Sequence, residues 1–98
     1  MNNAQRQFLR REAHDLRPVV QIGKNGLTEQ LYAALENELD AHELIKIKFM
    51  DFRDEKRELA EELAERTRST LIGIIGNIAI VYREQADPEK RKIRLPQG

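Results

Sequence analysis

Pro18-Val19-Val20-Gln21-Ile22-Gly23-Lys24-Asn25-Gly26-Leu27-Thr28 reads as a strand that stops at a glycine, turns sharply and enters a helix. The β-branched Val19, Val20 and Ile22 favour extended backbone, and a strand tolerates proline at its first position. Glycine permits positive φ and lacks the side chain that would hold a ligand away from the backbone. The first amides of the helix that follows are unpaired donors at the positive end of its dipole. Gly23, Lys24, Asn25 and Gly26 therefore form a candidate anion site, in which Lys24 adds a full charge and Asn25 a hydrogen-bond donor or a left-handed turn position. The plainer reading is that the glycines only make a tight strand-to-helix turn.

The spacing excludes the familiar nucleotide loops. A P-loop requires GxxxxGK followed by Ser or Thr, and a dinucleotide-binding turn requires GxGxxG, and neither occurs. The closer likeness is one of mechanism, to the GxxG clamp of KH modules, which grips a nucleic-acid backbone but joins two helices.

Outward from this loop the chain alternates helix and strand. Asn3 to His14 has helical spacing, with Phe8 and Leu9 on one side and Arg6 and Arg10 four apart, and must end before Pro18. From Thr28 to Ala41, Leu31, Leu35 and Leu39 recur every four residues beside Tyr32, which predicts a second helix. Leu44 to Phe49 alternates strictly, so Ile45, Ile47 and Phe49 share one face of a strand and Lys46 and Lys48 the other. Arg53 to Arg68 carries Leu59, Ala60, Leu63 and Ala64 as a stripe among charges, a third helix. Thr70 to Ile75 and Ile78 to Arg83 are β-rich runs joined by Gly76-Asn77, a hairpin pair. The expected architecture is one α/β domain over residues 1–98, ordered α-β-α-β-α-β-β, with three helices and a mixed four-stranded sheet. Asp87-Pro88-Glu89 opens a polar, mobile tail over residues 87–98, in which Ile93 and Leu95 alternate with Lys92 and Arg94 in the manner of a short strand.

Composition narrows the function classes. The chain has 98 residues, 40% apolar and 35% charged, which suits one soluble folded domain. It has no cysteine, which removes disulfide and thiolate chemistry, and its N-terminus fits neither a signal peptide nor a membrane span, so a cytoplasmic protein is expected. Seventeen basic residues balance seventeen acidic ones, which taken alone argues against a nucleic-acid partner. The distribution argues the other way. Met1 to Thr28 holds Arg6, Arg10, Arg11, Arg17 and Lys24 against Glu12 and Asp15, whereas Glu29 to Glu43 is acidic without a lysine or arginine. A neutral chain can present a basic face if its acids sit elsewhere.

The remaining candidates each have a plain alternative. Lys46 and Lys48 extend a phosphate-binding surface or keep a sheet face soluble. Arg6, Arg10 and Arg17 widen the contact around the glycine loop or decorate a surface helix. His14 and His42 stand at helix ends, where capping is the simpler role, and no metal or cofactor site is expected. No nucleophile, base and carboxylate come together in a recognisable catalytic pattern, so an enzyme is not expected. Phe8, Tyr32 and Phe49 fall on apolar stripes, which leaves Phe52 as the one aromatic placed to stack on a base, and contacts should favour backbone and shape.

Ala13 to Thr28, with the glycine loop following a Pro-Val-Val strand, resembles the signature of the CRM (chloroplast RNA splicing and ribosome maturation) domain family in its stand-alone bacterial, YhbY-like form. Glu43 to Lys48 is similar to its second strand, and Ile75-Gly76 through Val81-Tyr82-Arg83 to its closing hairpin. The resemblance implies a fold similar to the C-terminal domain of translation initiation factor three. It also implies a GxxG loop and adjacent basic surface that bind structured RNA, and association with precursors of the large ribosomal subunit; a monomer in solution is expected. By position the loop role falls on Gly23, Lys24, Asn25 and Gly26, with Lys46 and Lys48 flanking. Asn77 stands where the family often has a basic residue, so no electrostatic contact is carried there. The competing expectation is a ribosome-associated protein-interaction module that docks through the acidic second helix.

Overall fold

The computed structural model describes residues 1–97. Helix α1 (Asn3–Ala13) begins in a reciprocal cap: the Asn2 side chain accepts from the Gln5 amide while the Gln5 side chain accepts from the Asn2 amide. Strand β1 (Pro18–Ile22) follows, then α2 (Glu29–His42), whose N-cap Thr28 accepts from the Leu31 amide through its hydroxyl. Strand β2 (Leu44–Phe49) leads through Met50 to Phe52 into a 3₁₀ turn (Arg53–Glu55) and α3 (Lys56–Thr67). The expected third helix thus starts later as an α-helix, because Phe52 adopts a left-handed backbone (φ 57°) and the next residues close a tighter turn. Strands β3 (Thr70–Ile75) and β4 (Ile78–Tyr82) form the hairpin, with Gly76 supplying positive φ.

The sheet order is β1-β2-β4-β3, with β1 and β2 parallel and the other two pairings antiparallel. The expected mixed α/β sheet is observed, and β4 is inserted between the parallel strands β2 and β3. Helices α2 and α3 cover one face, over a core of Ile22, Leu35, Leu39, Ile45, Ile47, Phe49, Leu63 and Val81 among others. Removing Phe49, whose side chain is fully buried, would cost about 3–5 kcal/mol. The other face is covered in part by α1, through Leu9 and Ala13 packed with Leu44, Ile72, Ile80 and Tyr82.

After β4 the chain turns back onto the domain. Ile93 and Leu95 pack against the α1 cluster, and the Pro96 carbonyl accepts from the Gln5 side chain at 3.1 Å. Its anchor is the buried Glu43 carboxylate, which accepts the amides of Gln85 (2.8 Å), Lys92 (2.7 Å) and Ile93 (3.0 Å). These amides satisfy a charge that burial would otherwise penalise. Ile93 and Leu95 join no strand; their alternation serves to turn both toward the α1 cluster.

Candidate nucleic-acid interface

The glycine loop closes on itself as a turn, with the Gly26 amide donating to the Gly23 carbonyl at 3.0 Å, and Thr28 then donating to Gly26 at 3.2 Å before the helix begins. Gly26 has φ +70°, so glycine is there for the backbone. Gly23 is different: its φ lies outside the left-handed region, and an added β-carbon would meet nothing within 4 Å. Lys24 and Asn25 stand exposed at the tip, with no hydrogen bond or ion pair to any described residue.

Three segments meet at this end of the sheet. The amides of Met50 and Asp51 both donate to the Ile22 carbonyl, which ties the end of β2 to the start of the loop. The Phe49 amide donates to the Asn77 carbonyl at 2.8 Å, which brings in the hairpin turn. Lys56 Nζ fixes that turn from α3, donating to the Gly76 carbonyl and the Asn77 side-chain oxygen. Phe52 lies against Gly26, and Met50, Phe52 and Ile75 leave large apolar side chains exposed here. Phe52 was legible in sequence as an aromatic without a place in a stripe; its contact with the loop was not.

The remaining predicted cations divide. Lys48 is exposed, makes no ion pair, and lies opposite Gln21, two residues before Gly23. Lys46 shares its face but not its freedom: its ammonium donates to the carbonyls of His14 (3.3 Å) and Leu16 (3.0 Å), closing the C-terminal end of α1. Arg6 donates to the carbonyls of Leu71 (2.8 Å) and Ile72 (3.2 Å), and Arg10 to Ile72 (3.4 Å). Both therefore sit over β3, at the sheet edge farthest from the loop's own strand, and do not gather at the loop as their closeness in sequence suggested. Arg17 precedes β1 and so stands at the opposite end of that strand from Gly23, roughly 20 Å away for six extended steps.

The acids of α2 are largely occupied within the molecule. Arg83 binds Glu36 (2.6 Å) and Asp40 (2.9 Å), Arg66 binds Glu29, and His42 lies 3.4 Å from Glu38. Burial acts to lower the Arg83 pKa, and Glu36 and Asp40 more than offset it, so the group is held firmly charged. The Tyr82 hydroxyl is pushed up to about 12, chiefly by burial and then by Glu43. The Tyr32 hydroxyl is also raised by burial, beneath an Arg66 guanidinium 3.9 Å from the ring centroid. Among the described residues no group of three or more His, Cys, Asp or Glu is placed to hold a metal ion, and no helix is long and apolar enough to cross a membrane.

This geometry defines an α/β domain that presents a free, glycine-bounded turn at the carboxyl end of its parallel strands. The chain belongs to the CRS1/YhbY (CRM) domain family, whose model matches residues 1–83. It is 40% identical over 98 residues to a protein of Haemophilus influenzae named "RNA-binding protein", covering 99% of this chain and 96% of the relative. It is 35% identical over 97 residues to the Bacillus subtilis protein named "Probable RNA-binding protein YqeI", covering 98% and 99%. It also resembles the solution structure of a hypothetical protein of Staphylococcus aureus, with a TM-score of 0.80, 37% identity, and coverage of 98% of this chain and 99% of that one.

Proposed function

We propose that this protein binds structured RNA without catalysing a reaction, holding the phosphate backbone at Gly23, Lys24, Asn25 and Gly26 with Lys48 beside them. The observation that carries the reading is Gly23. Neither backbone strain nor packing accounts for a glycine there, whereas the close approach of an external group does. Lys24 and Asn25 next to it have no internal partner to give up, so binding a phosphate costs no broken ion pair. The names of the H. influenzae and B. subtilis relatives support RNA as the partner. Membership of the CRM family, with the likeness to its stand-alone bacterial form, supports precursors of the large ribosomal subunit as that RNA; we propose that the encounter is in the cytoplasm and that the protein meets it as a monomer.

Lys46, Arg6 and Arg17 are left out of this contact, the first two for their bonds to backbone carbonyls and the third for its distance. The test is binding to large-subunit ribosomal RNA across a salt series, beside a variant carrying Lys24→Ala and Asn25→Ala. The variant should bind more weakly with a slope of log affinity against log salt shallower by about one. Equal affinity and slope would remove the loop from the contact, and no RNA binding by the parent protein would remove RNA.

A further inference from the structure

Helix α1 does not cover the whole of its sheet face, where Ile75 and Lys48 stand exposed. Gln21, Lys48, Ile78 and Ile75 form one continuous row across β1, β2, β4 and β3, paired in register. At about 4.8 Å per strand the row spans roughly 14 Å, starting beside the glycine loop. Ile75 is 66% exposed, the most exposed of the large apolar side chains. Next to it is a cavity of about 260 Å³, lined by Arg10, His14, Lys46, Ile75, Ile78 and Ile80 together with Ala13. No carboxylate lines it, although the whole chain carries as many acids as bases.

Arg10 is seated here by a specific accommodation. Its guanidinium lies over Gly73, where a β-carbon would come within 3.1 Å of Nη2, so a larger residue would make the guanidinium give by a few tenths of an ångström. Its hold on the protein is a single hydrogen bond at 3.4 Å, which leaves other N–H donors free. A planar guanidinium beside an aliphatic floor, with Lys48 along the same row, offers a flat apolar contact and positive charge without a competing anion. That combination suits a nucleobase and its phosphate better than an acidic peptide, which gives the Ile75 and Ile78 floor nothing flat to receive.

We propose that the row from Lys48 through Ile78 to Ile75 and Arg10 is a second contact surface, which takes an unpaired nucleotide of the RNA whose backbone is held at the glycine loop. This rests on the RNA-binding reading and adds to it a preference for RNA with a single-stranded flank beside its helix.

The test compares a blunt RNA hairpin with the same hairpin carrying a short uridine flank, by fluorescence anisotropy, for the parent protein, Ile75→Ser and the Lys24→Ala, Asn25→Ala double variant. Ile75 is exposed enough that Ile75→Ser should keep the parent's thermal midpoint. The parent binds the flanked hairpin more tightly, on the order of fivefold, equivalent to about 1 kcal/mol. Ile75→Ser loses that advantage and binds the blunt hairpin unchanged, whereas the loop variant weakens on both. If the parent gains nothing from the flank, or Ile75→Ser keeps the full gain, the second surface is overturned while the loop reading stands. If the parent binds neither RNA, both fall.

Discussion

The ring of Phe52 lies against Gly26, with Cε2 only 3.6 Å from where a β-carbon on that glycine would stand. That spacing is ordinary van der Waals contact, so the ring would tolerate a methyl group. The backbone would not: at φ +70° a side chain costs about 1 kcal/mol. Gly26→Ala should therefore destabilise by about that amount in chemical denaturation. Gly23→Ala should leave the midpoint untouched, because its methyl group meets open space, yet weaken RNA binding on the order of tenfold by standing where a phosphate approaches. Unchanged RNA affinity in Gly23→Ala would argue that no backbone comes close to that residue.

The difference between these two glycines shows where sequence reading stops. The order of helices and strands follows from local patterns such as Leu31, Leu35 and Leu39 or the alternation of Ile45, Ile47 and Phe49, all of which are buried as expected or packed against the core. What decides the site is non-local. Gly23 and Gly26 are the same residue type and differ in φ and in what a β-carbon there would meet. Arg6 and Arg10 read as a basic stripe near the loop, but their partners lie more than sixty residues away on a strand whose place in the sheet depends on β4 entering first. Glu43 reads as one acid among several, and its role appears only when Gln85, Lys92 and Ile93 fold back onto it.

Glu43 supplies the second prediction, after the glycine pair. One carboxylate oxygen accepts Lys92 and Ile93 and the other accepts Gln85. In Glu43→Gln one of those oxygens becomes an NH₂ group facing a backbone N–H, donor against donor. Losing the charge and one acceptor should cost about 2 kcal/mol. The tail should loosen with it, so trypsin should cut after Arg91, Lys92 and Arg94 faster in the variant than in the parent under native conditions. Equal cleavage rates would mean that Ile93 and Leu95 hold the tail without the carboxylate.

Tyr82 gives a prediction in pH. Its hydroxyl is buried, has no hydrogen-bond partner, and titrates at about 12 instead of the usual 10. An acid whose folded pKa is raised favours the folded state while protonated, so this contribution is whole below pH 10 and is lost as pH rises toward 12. Tyr82→Phe removes both the titration and an unsatisfied polar atom. It should be neutral or up to about 1 kcal/mol stabilising at pH 7. The stability difference between variant and parent should then widen in the variant's favour between pH 10 and pH 12, with the lysines common to both cancelling out. A flat difference across that window would show that the hydroxyl is solvated after all.

Lys46 and Lys48 stand two residues apart on one face of β2 and should separate cleanly. Lys46 spends its ammonium on the carbonyls of His14 and Leu16, at the negative end of α1. Such a contact is worth about 1 kcal/mol, so Lys46→Ala should lower stability by that much and leave the salt dependence of RNA binding as it was. Lys48 donates to no described group and lies exposed beside Gln21 and Ile78, so Lys48→Ala should keep the parent's stability. If it neutralises a phosphate, its loss makes the slope of log affinity against log salt shallower by about 0.7–0.9. Denaturation curves and a salt titration on the same two proteins measure both axes. Should Lys46→Ala change the slope and Lys48→Ala the stability, the two side chains would have exchanged roles, and the assignment of Lys48 to the RNA contact would be wrong.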